Sequence, residues 1–494
     1  MRQVRLPLLL AGLAAVLLVA SCSSNSESGV PSSSPVPSPT AASLPTSTPE
    51  ANPCPSLIRE IANVQALALT PAEVATLEQA CANIAKLRQG ALTIELTDGN
   101  GRPLRGIPVR IEQKKHRFRF GGQPNELQRG VVSAQEQAAY EERFFSLFNE
   151  FAWGFVWRSY EATQGNRRND VAEIGLRLAA KHGTTVRGHA LIYTQEHPPW
   201  FTEIGAQAEQ FRVAEAHVRD LATRYKGRVS EWVVVNETKN TFSLAGMLRG
   251  QQLIAPLTES TRQGVVDYVD PAFRWARESD PSAILLFNDN RVVSGKQLEK
   301  IEAILQELKR RNTPFDGIGI QTHMKNEGRV PLDRMQANLT QLAQYGRLNL
   351  TELSVPSRPS TPSENLFDSE SWAGWSEETQ AAYALAMYII AFGHPAVDGI
   401  TYWSFTDRRL DPNTTATGLL REDLSPRPIY EKLKRLIHEV WQTRWDGTTD
   451  SAGGLRLQAF LGDYTLIATM PDGRKVEMPF TVKNRDESVK LTVK

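Results

Sequence analysis

Cysteine, surplus charge and long apolar runs are all scarce in this chain. Three cysteines among 494 residues exclude a disulfide-dense scaffold and a cysteine-rich zinc module. Lysine and arginine number 56 against 55 aspartate and glutamate, so the net charge of +1 argues against nucleic acid as a partner. Beyond residue 22 no run is long and apolar enough to cross a bilayer. The overall composition, with 41% hydrophobic and 22% charged residues, is typical of a large globular chain.

Residues 1–22 have the organisation of an export signal. Arg2 and Arg5 precede an uncharged stretch over 6–20 that is short for a membrane span. The closing Val-Ala-Ser-Cys resembles a bacterial lipobox, in which the thiol of Cys22 is acylated and becomes the mature N-terminus. We therefore expect an exported protein, anchored by lipid at Cys22 to the cell envelope or cell surface. A plain secretion signal is the alternative.

Two short segments separate this signal from the rest of the chain. Residues 23–53 are mostly Ser, Pro and Thr, which predicts a disordered linker with little to bury. Residues 54–88 carry helical periodicity and predict a helical hairpin, with Thr70-Pro71 as a helix start. Because an exported chain meets oxidising conditions, Cys54 and Cys81 are candidates for a disulfide that closes the hairpin. Two free thiols are the alternative.

The two flanks of the remaining chain share a pattern typical of β-strands. Apolar and polar residues alternate in 89–116, which contains the turn signal Asp98-Gly99-Asn100-Gly101. Residues 446–494 show the same alternation with a turn at Pro471-Asp472-Gly473. The shared pattern predicts that both flanks pair into one small accessory β region outside the main domain.

Residues 117–445 alternate short apolar strands with helical stretches. Such alternation predicts parallel strands joined by helical crossovers, and eight strands over this length fit an α/β fold, the (β/α)8 TIM barrel. The strand candidates are 118–122, 151–157, 184–192, 229–237, 283–289, 317–323, 348–353 and 399–405.

Polar residues stand at the ends of the internal strands, where this fold carries its chemistry. Asn236 and Glu237 end the fourth strand, His323 the sixth and Glu352 the seventh. Two carboxylates in one cleft push each other's pKa values apart, as glycoside hydrolysis requires. Salt bridges or a metal site are alternatives, but neither HxH nor HExxH spacing occurs. We therefore expect no metal and no cofactor.

The barrel resembles glycoside hydrolase family 10, whose typical members are endo-1,4-β-xylanases. The matching stretches are Arg187-Gly188-His189, Trp232 to Glu237, Asn288-Asp289, Gly317 to His323, Thr351-Glu352-Leu353 and Trp403 to Asp407. The resemblance implies a retaining mechanism with Glu237 as general acid/base and Glu352 as nucleophile. Retention in turn implies carboxyl groups about 5–5.5 Å apart.

The resemblance also implies roles for the neighbouring residues. Asn236 matches a residue that binds the sugar 2-hydroxyl, and His323 matches one that orients the nucleophile. The other matches are contacts with the substrate: His189, Gln321, Trp403, Trp157 and Tyr193, the last in place of the usual Trp. An indole can pack on the apolar face of a pyranose.

Departures from the family pattern concern sugar recognition more than hydrolysis. Ala152, Trp153 and Val156 replace a Glu, an Asn and a Lys of the second strand, and Ser354 stands where an Asp is usual. Thr194 replaces a His, and Asp411 falls near an expected Trp. Two tryptophans of the loop after strand seven are candidate sugar platforms, with loop packing as the alternative: Trp372 and Trp375.

Together these features predict a retaining glycosidase that cleaves β-1,4-linked polysaccharide, most readily xylan. We expect a monomer that meets the membrane only through its lipid. The alternative is a lipid-anchored glycan-binding protein whose barrel has weak or lost turnover, which the altered second strand motivates.

Overall fold

The computed structural model describes residues 53–193, 195–238, 259–360, 372–408 and 416–494. The predicted export signal with Cys22, all but the last residue of the predicted linker, Thr194 and Asp411 lie outside these ranges. Within the described ranges, no helix combines the length and the apolar character needed to span a membrane.

The described chain begins with a helical hairpin. Helix α1 (Cys54–Ala62) and helix α2 (Pro71–Arg88) flank a short 3-10 turn, Gln65–Leu67. A disulfide joins Cys54 of α1 to Cys81 of α2, the pairing that the sequence suggested. Helix α2 starts at a capping box in which the side chains of Thr70 and Glu73 satisfy each other's backbone N–H groups. Strands β1 (Gln89–Thr97) and β2 (Pro108–His116) follow.

Eight parallel strands close into the predicted barrel. They run in chain order around the ring, with the last strand pairing with the first, and each predicted stretch supplies one strand. The strands are β3 (Arg119–Gly122), β4 (Glu150–Gly154), β5 (Thr185–Tyr193), β6 (Glu231–Asn236), β7 (Ile284–Asp289), β8 (Gly317–Ile320), β9 (Arg347–Leu353) and β10 (Val397–Tyr402). All six residues of β6 are buried, as expected of a strand covered on both faces.

Helices surround the barrel and connect its strands. They are α3 (Asn125–Gln128), α4 (Ala134–Phe145), α5 (Trp157–Tyr160), α6 (Asn169–His182), α7 (Pro199–Thr202), α8 (Gln207–Arg224), α9 (Glu259–Ser279), α10 (Leu298–Arg310), α11 (Met324–Glu327), α12 (Leu332–Leu342), α13 (Glu377–Gly393) and α14 (Pro428–Arg435), the last continued by a π-helical turn, Leu436–Val440. Helix α13 is buried on all sides from Thr379 to Gly393, because the hairpin packs over it. A Cβ on Gly393 would lie 2.2 Å from the carbonyl oxygen of Ala80, so this close approach requires glycine.

Five further strands follow the barrel. These strands are β11 (Arg444–Thr448), β12 (Gly454–Phe460), β13 (Gly462–Thr469), β14 (Lys475–Val482) and β15 (Glu487–Thr492). Four of them pair with β1 or β2, and the fifth, β14, pairs with β13. One sheet has the order β12-β1-β15 and the other β11-β2-β13-β14, so the two flanks pair as predicted. A hydrophobic core with residues from both sheets, including Leu92, Ile111, Leu457 and Leu466, joins them.

Candidate active site

The acid side chain of Glu237 is positioned by an unusual backbone turn at the end of β6. Its φ of 51° lies in the left-handed region, which non-glycine residues seldom adopt. Its backbone N–H donates to the carbonyl oxygen of Asn288 at 3.0 Å, and this bond holds the turn against the neighbouring strand. Backbone strain of this kind is characteristic of functional sites.

Amide groups surround the carboxyl group of Glu237. Gln321 Nε2 donates to Oε1 at 2.9 Å, and Gln195 Nε2 donates to Oε2. Burial raises the pKa of Glu237, and the charges of Asp289 and Glu352 raise it further, against the hydrogen bond from Gln321. This carboxyl group is therefore held toward its protonated form.

Glu352 has the opposite electrostatic environment. Glu352 is 3% exposed, and it accepts hydrogen bonds from Asn288 Nδ2 at 2.8 Å and His323 Nε2 at 3.1 Å. His189 Nδ1 lies 3.8 Å from its Oε1. Burial alone would raise the pKa of Glu352, but His189, His323 and Asn288 together lower it below its usual value. This carboxylate stays ionised.

His323 connects Glu352 to Ser354. Ser354 Oγ and His323 Nδ1 are 2.8 Å apart, and His323 Nε2 faces Glu352. Burial lowers the pKa of His323 and that of His189, so both imidazoles are neutral near pH 7. An ionised Glu352 requires the proton of His323 on Nε2, which leaves Nδ1 to accept from the serine hydroxyl.

Asn288 links the two carboxyl-bearing strand ends. Besides donating to Glu352, its Nδ2 donates to Asn236 Oδ1 at 2.7 Å. Its own Oδ1 accepts from the hydroxyl of Thr351 at 2.6 Å, which fixes the orientation of the amide. Because Asn236 Oδ1 is occupied, its NH2 group remains as the donor for a bound hydroxyl.

Aromatic rings line the same cluster. The Trp403 ring is half-buried and meets His189 edge-on at 5.2 Å and His323 at 6.2 Å. The Tyr193 ring centre lies 6.4 Å from that of His189. Burial raises the pKa of Tyr193, and Glu237 and Glu352 raise it further, so the phenol stays protonated as a hydrogen-bond donor. The cluster thus joins two carboxyl groups, hydrogen-bond donors and an apolar face.

Trp157 is not brought to this cluster. Its ring is 4% exposed and stacks on His217 with the ring centres 4.0 Å apart. Its indole N–H donates to Glu161 at 3.0 Å, and its ring also contacts Phe201 and Trp200. The structure therefore places Trp157 in an aromatic packing cluster, in contrast to the predicted substrate contact.

The end of β4 is apolar, as the replacements in the sequence indicate. Ala152 and Trp153 are 1% and 0% exposed, and the indole of Trp153 donates to the carbonyl oxygen of Val171 in the helix layer. The polar residue at this strand end is Gln128 of α3, whose amide both donates to and accepts from the backbone of Gly154. Sequence reasoning missed Gln128 and Gln195, since both lie outside the barrel strands.

The two tryptophans after β9 form a pair. Trp372 and Trp375 meet edge-on with their ring centres 4.7 Å apart. Trp375 is 4% exposed and packs on Tyr383 of α13. This position fits the alternative of loop packing. Trp372 stays half-buried. In the part of the chain that the structure describes, no three His, Cys, Asp or Glu residues are grouped to hold a metal ion.

Comparisons with known proteins point to one family. The family model described as Glycosyl hydrolase family 10 matches residues 114–436, which include the whole cluster. Endo-1,4-beta-xylanase B of Thermotoga neapolitana is 24% identical over 351 residues, covering 68% of this chain and 94% of that protein. Endo-1,4-beta-xylanase 3 of Hypocrea jecorina is 28% identical over 285 residues, covering 57% and 72%.

Solved structures agree with this family. Xylanase 10B of Thermotoga petrophila, in complex with xylobiose, superposes with a TM-score of 0.52 at 25% identity, covering 65% of this chain and 94% of that one. Native xylanase 10B of Thermotoga maritima gives a TM-score of 0.51 at 25% identity, with 65% and 95% covered.

Proposed function

The chain belongs to glycosyl hydrolase family 10 and is a glycoside hydrolase, and we propose that it cleaves β-1,4-linked xylan with retention of configuration. The substrate proposal is supported by relatives named endo-1,4-beta-xylanases and by a similar xylanase that binds xylobiose. The mechanism rests above all on the arrangement of the two carboxyl groups: Glu237 accepts from Gln321, and Glu352 accepts from Asn288 and His323. Gln321 and Asn288 both also donate to Asn236, so one hydrogen-bond network joins the two groups. The pKa values of the two carboxyl groups are displaced in opposite directions, as the two roles require.

Glu352 acts as the nucleophile in this proposal and Glu237 as the acid/base. The ionised Glu352 attacks the anomeric carbon while the protonated Glu237 gives its proton to the departing glycosidic oxygen. A glycosyl ester forms on Glu352. Glu237, now ionised, takes a proton from water, which attacks the anomeric carbon, breaks the ester bond and restores both carboxyl groups.

The remaining residues of the cluster bind and orient. The NH2 group of Asn236 donates to the sugar 2-hydroxyl, a contact that strengthens in the transition state. Trp403 offers its ring to the apolar face of the pyranose. His323 positions Glu352, and we expect no metal or cofactor to take part.

Two alanine variants test the mechanism. Glu352→Ala should abolish release of reducing sugar from xylan, and added azide should restore turnover with an inverted product. Glu237→Ala should still react with a substrate that has a good leaving group, so mass spectrometry should find the glycosyl ester on Glu352. Glu378→Ala, an exposed carboxylate on α13, is the matched control. A label on another residue, or full activity in either variant, contradicts the assignment.

A glycan-binding protein without turnover is the second candidate. The apolar, buried end of β4 favours it, because hydroxyl-binding groups of the family pattern are replaced there. Reducing-sugar assays on xylan and other β-glycans separate the two functions. Retention on a xylan column without sugar release from any glycan would support binding alone.

We further propose that the protein is exported and lipid-anchored through Cys22. The support is the sequence of residues 1–22 followed by the Ser, Pro and Thr-rich linker, which would hold the hydrolase away from the membrane. Cys22→Ala should remove lipid labelling and membrane fractionation while the hydrolase stays active. A lipid-labelled, membrane-bound Cys22→Ala protein would overturn this proposal.

A further inference from the structure

Arginine side chains crowd a cavity at the N-terminal end of the barrel, opposite the candidate active site. The cavity has a volume of about 350 Å³ and lies between the end of α2, the starts of β3, β9 and β10, and Leu461 of the accessory β region. Four arginines and one carboxylate line it: Arg88, Arg117, Arg119, Arg347 and Asp398. Positive charge is therefore in excess among the lining groups.

Arg119 lies against three carboxylates at the edge of the cavity. Its guanidinium lies 2.7 Å from Asp398, 2.9 Å from Glu231 and 3.4 Å from Glu150. Among the carboxylates of the described residues, Arg347 lies near Asp398 alone, at 3.5 Å, and its side chain is 58% exposed. Arg347 thus shares Asp398 with Arg119.

Arg88 is held by backbone carbonyl oxygens, and it forms no ion pair with a carboxylate in the part of the chain that the structure describes. Its Nε donates to the carbonyl oxygen of Phe392 at 2.7 Å, and its Nη2 donates to those of His394 at 2.9 Å and Val397 at 2.6 Å. Its guanidinium also lies 4.8 Å from the ring centre of Phe118. These contacts leave Nη1 of Arg88 without a hydrogen bond in the described part of the chain.

The charges of the cavity repel one another. Burial lowers the pKa of Arg88 to about 10, and the charges of Arg347 and Arg117 lower it as well, against the opposing charge of Asp398. The exposed Arg117 donates to the backbone carbonyl oxygen of Lys483, its one hydrogen-bond acceptor within the described ranges. A bound anion would relieve this repulsion, and guanidinium groups match carboxylate and phosphate oxygens in pairs.

The size and the lining of the cavity restrict which class of anion could bind in it. Phe118, Phe392, Pro395 and Leu461 form apolar walls beside the arginines. The volume lies in the range of small-molecule sites and exceeds what a bare inorganic ion needs. A pyranose that carries an oxyanion combines the apolar face and the charge that these walls offer.

We propose that this cavity binds an acidic sugar unit through its carboxylate or phosphate group. The site is separate from the hydrolytic cluster, because Arg347 begins β9 and Glu352 lies near its other end, roughly 16 Å along the strand. It does not depend on the proposed function of that cluster.

Titration calorimetry of the full chain tests the proposal with four ligands. Glucuronic acid and glucose 6-phosphate represent the two oxyanions, glucose is the neutral counterpart, and inorganic phosphate is the bare ion. We expect one or both acidic sugars to bind more tightly than glucose and phosphate, and more weakly as salt is added. Which acidic sugar binds identifies the oxyanion. If glucose binds as tightly as the acidic sugars, or if neither acidic sugar binds, the proposed site is refuted.

Arginine variants locate the binding. Arg347→Gln and Arg117→Gln each remove an exposed charge and should weaken acidic-sugar binding about tenfold. Arg105→Gln, an exposed arginine of the accessory β region, should bind like the unchanged protein. Melting curves establish that each variant is folded, and hydrolysis at Glu352 should be unaffected. Unchanged binding in both cavity variants refutes the assignment.

Discussion

The two carboxyl groups differ chiefly in which neighbours donate to them. Glu237 is half-buried among neutral amide groups near the charge of Asp289, whereas Glu352 accepts from Asn288 and His323 and lies beside His189. The pKa is accordingly raised in Glu237 and lowered in Glu352. The dependence of kcat/KM on pH should therefore be bell-shaped, with Glu352 setting the acidic limb and Glu237 the alkaline limb.

Gln321 sets the position of the alkaline limb. Its Nε2 donates to Glu237 at 2.9 Å and thereby favours the ionised form, which lowers the pKa of Glu237. In Gln321→Leu this donor is lost, so Glu237 should keep its proton to higher pH and the alkaline limb of kcat/KM should move upward. Gln137→Leu, at an exposed amide on α4, should leave the limb in place. A shift of the alkaline limb to lower pH in Gln321→Leu would contradict this role of Gln321.

Ser354 controls the proton of His323. In Ser354→Ala the hydroxyl that faces Nδ1 is lost, so His323 is free to move its proton away from Glu352. The pKa of Glu352 should rise, the acidic limb should move to higher pH, and kcat/KM should fall about tenfold. A pH profile of hydrolysis measures both effects.

Ser354→Asp supplies the opposite perturbation. A carboxylate against Nδ1 should raise the pKa of His323 and hold Glu352 ionised to lower pH, so the acidic limb should move downward. Identical profiles for both Ser354 variants would show that His323 is held by other contacts.

Sequence reasoning predicted the residues of the cluster where strand ends determine their position. Asn236 ends β6, Glu237 follows it directly and Glu352 lies near the end of β9, and the end of a parallel strand must face the mouth of the barrel. Gln195 lies in a loop beyond β5, where no periodicity indicates the direction of a side chain. Trp157 matched the motif in type, but its stacking on His217 depends on packing between α5 and α8.

Among the helices and strands, the length of each element decided whether the sequence could predict it. The barrel strands and the long helices were predicted because each repeats its pattern over enough residues. The four-residue helices α3, α5, α7 and α11 are too short to show a period. The flanks were predicted to pair, but not that β1 would lie between antiparallel β12 and parallel β15, because alternation alone does not specify a partner.

Hydrogen bonds of Glu73 connect the start of helix α2 to the start of helix α12. Its side chain is 1% exposed, and its Oε1 accepts from Arg329 at 2.8 Å and from the backbone N–H of Leu332 at 3.1 Å. Burial would raise its pKa, but these donors and the backbone N–H of Thr70 lower it overall. Its contribution to stability is therefore present above the unfolded pKa and lost as the pH falls through the folded pKa.

Glu73→Gln should lower the free energy of unfolding by about 1–3 kcal/mol at pH 7. The difference from the unchanged protein should shrink as the pH falls below about 4, where the carboxyl group is protonated. Urea unfolding of both proteins at pH 7 and pH 3 measures this difference in the free energy of unfolding. Glu78→Gln, exposed on the same helix, is the control and should show little change at either pH. A difference that grows in acid would refute the pairing argument.

Across the whole molecule, the two flanks meet at the end of the barrel away from the hydrolytic cluster. Strand β2 ends at His116, immediately before β3 begins the barrel. The accessory β region and the proposed acidic-sugar cavity therefore share the N-terminal end of the barrel, while Glu237 and Glu352 lie at the other. Changes in the accessory region should affect stability without changing hydrolysis.

The last strand gives the sharpest test of that separation. Strand β15 runs parallel to β1, and the backbone N–H of Val493 donates to the carbonyl oxygen of Thr97 at 2.8 Å. Val489 and Leu491 pack against the core between the two sheets, and Val493 is 5% exposed within it. Ending the chain at Arg485 would remove all of these contacts.

This truncation should lower the melting temperature of the accessory β region by on the order of 10 °C, since each buried apolar side chain contributes a few kcal/mol. Hydrolysis at 25 °C should stay within about twofold, because distant sites act independently. Circular dichroism melting and kcat/KM on xylan measure the two effects. Lys490→Ala, on the exposed face of β15, should change neither. Loss of hydrolysis in a truncated protein whose barrel remains folded would show that the two ends of the barrel are coupled.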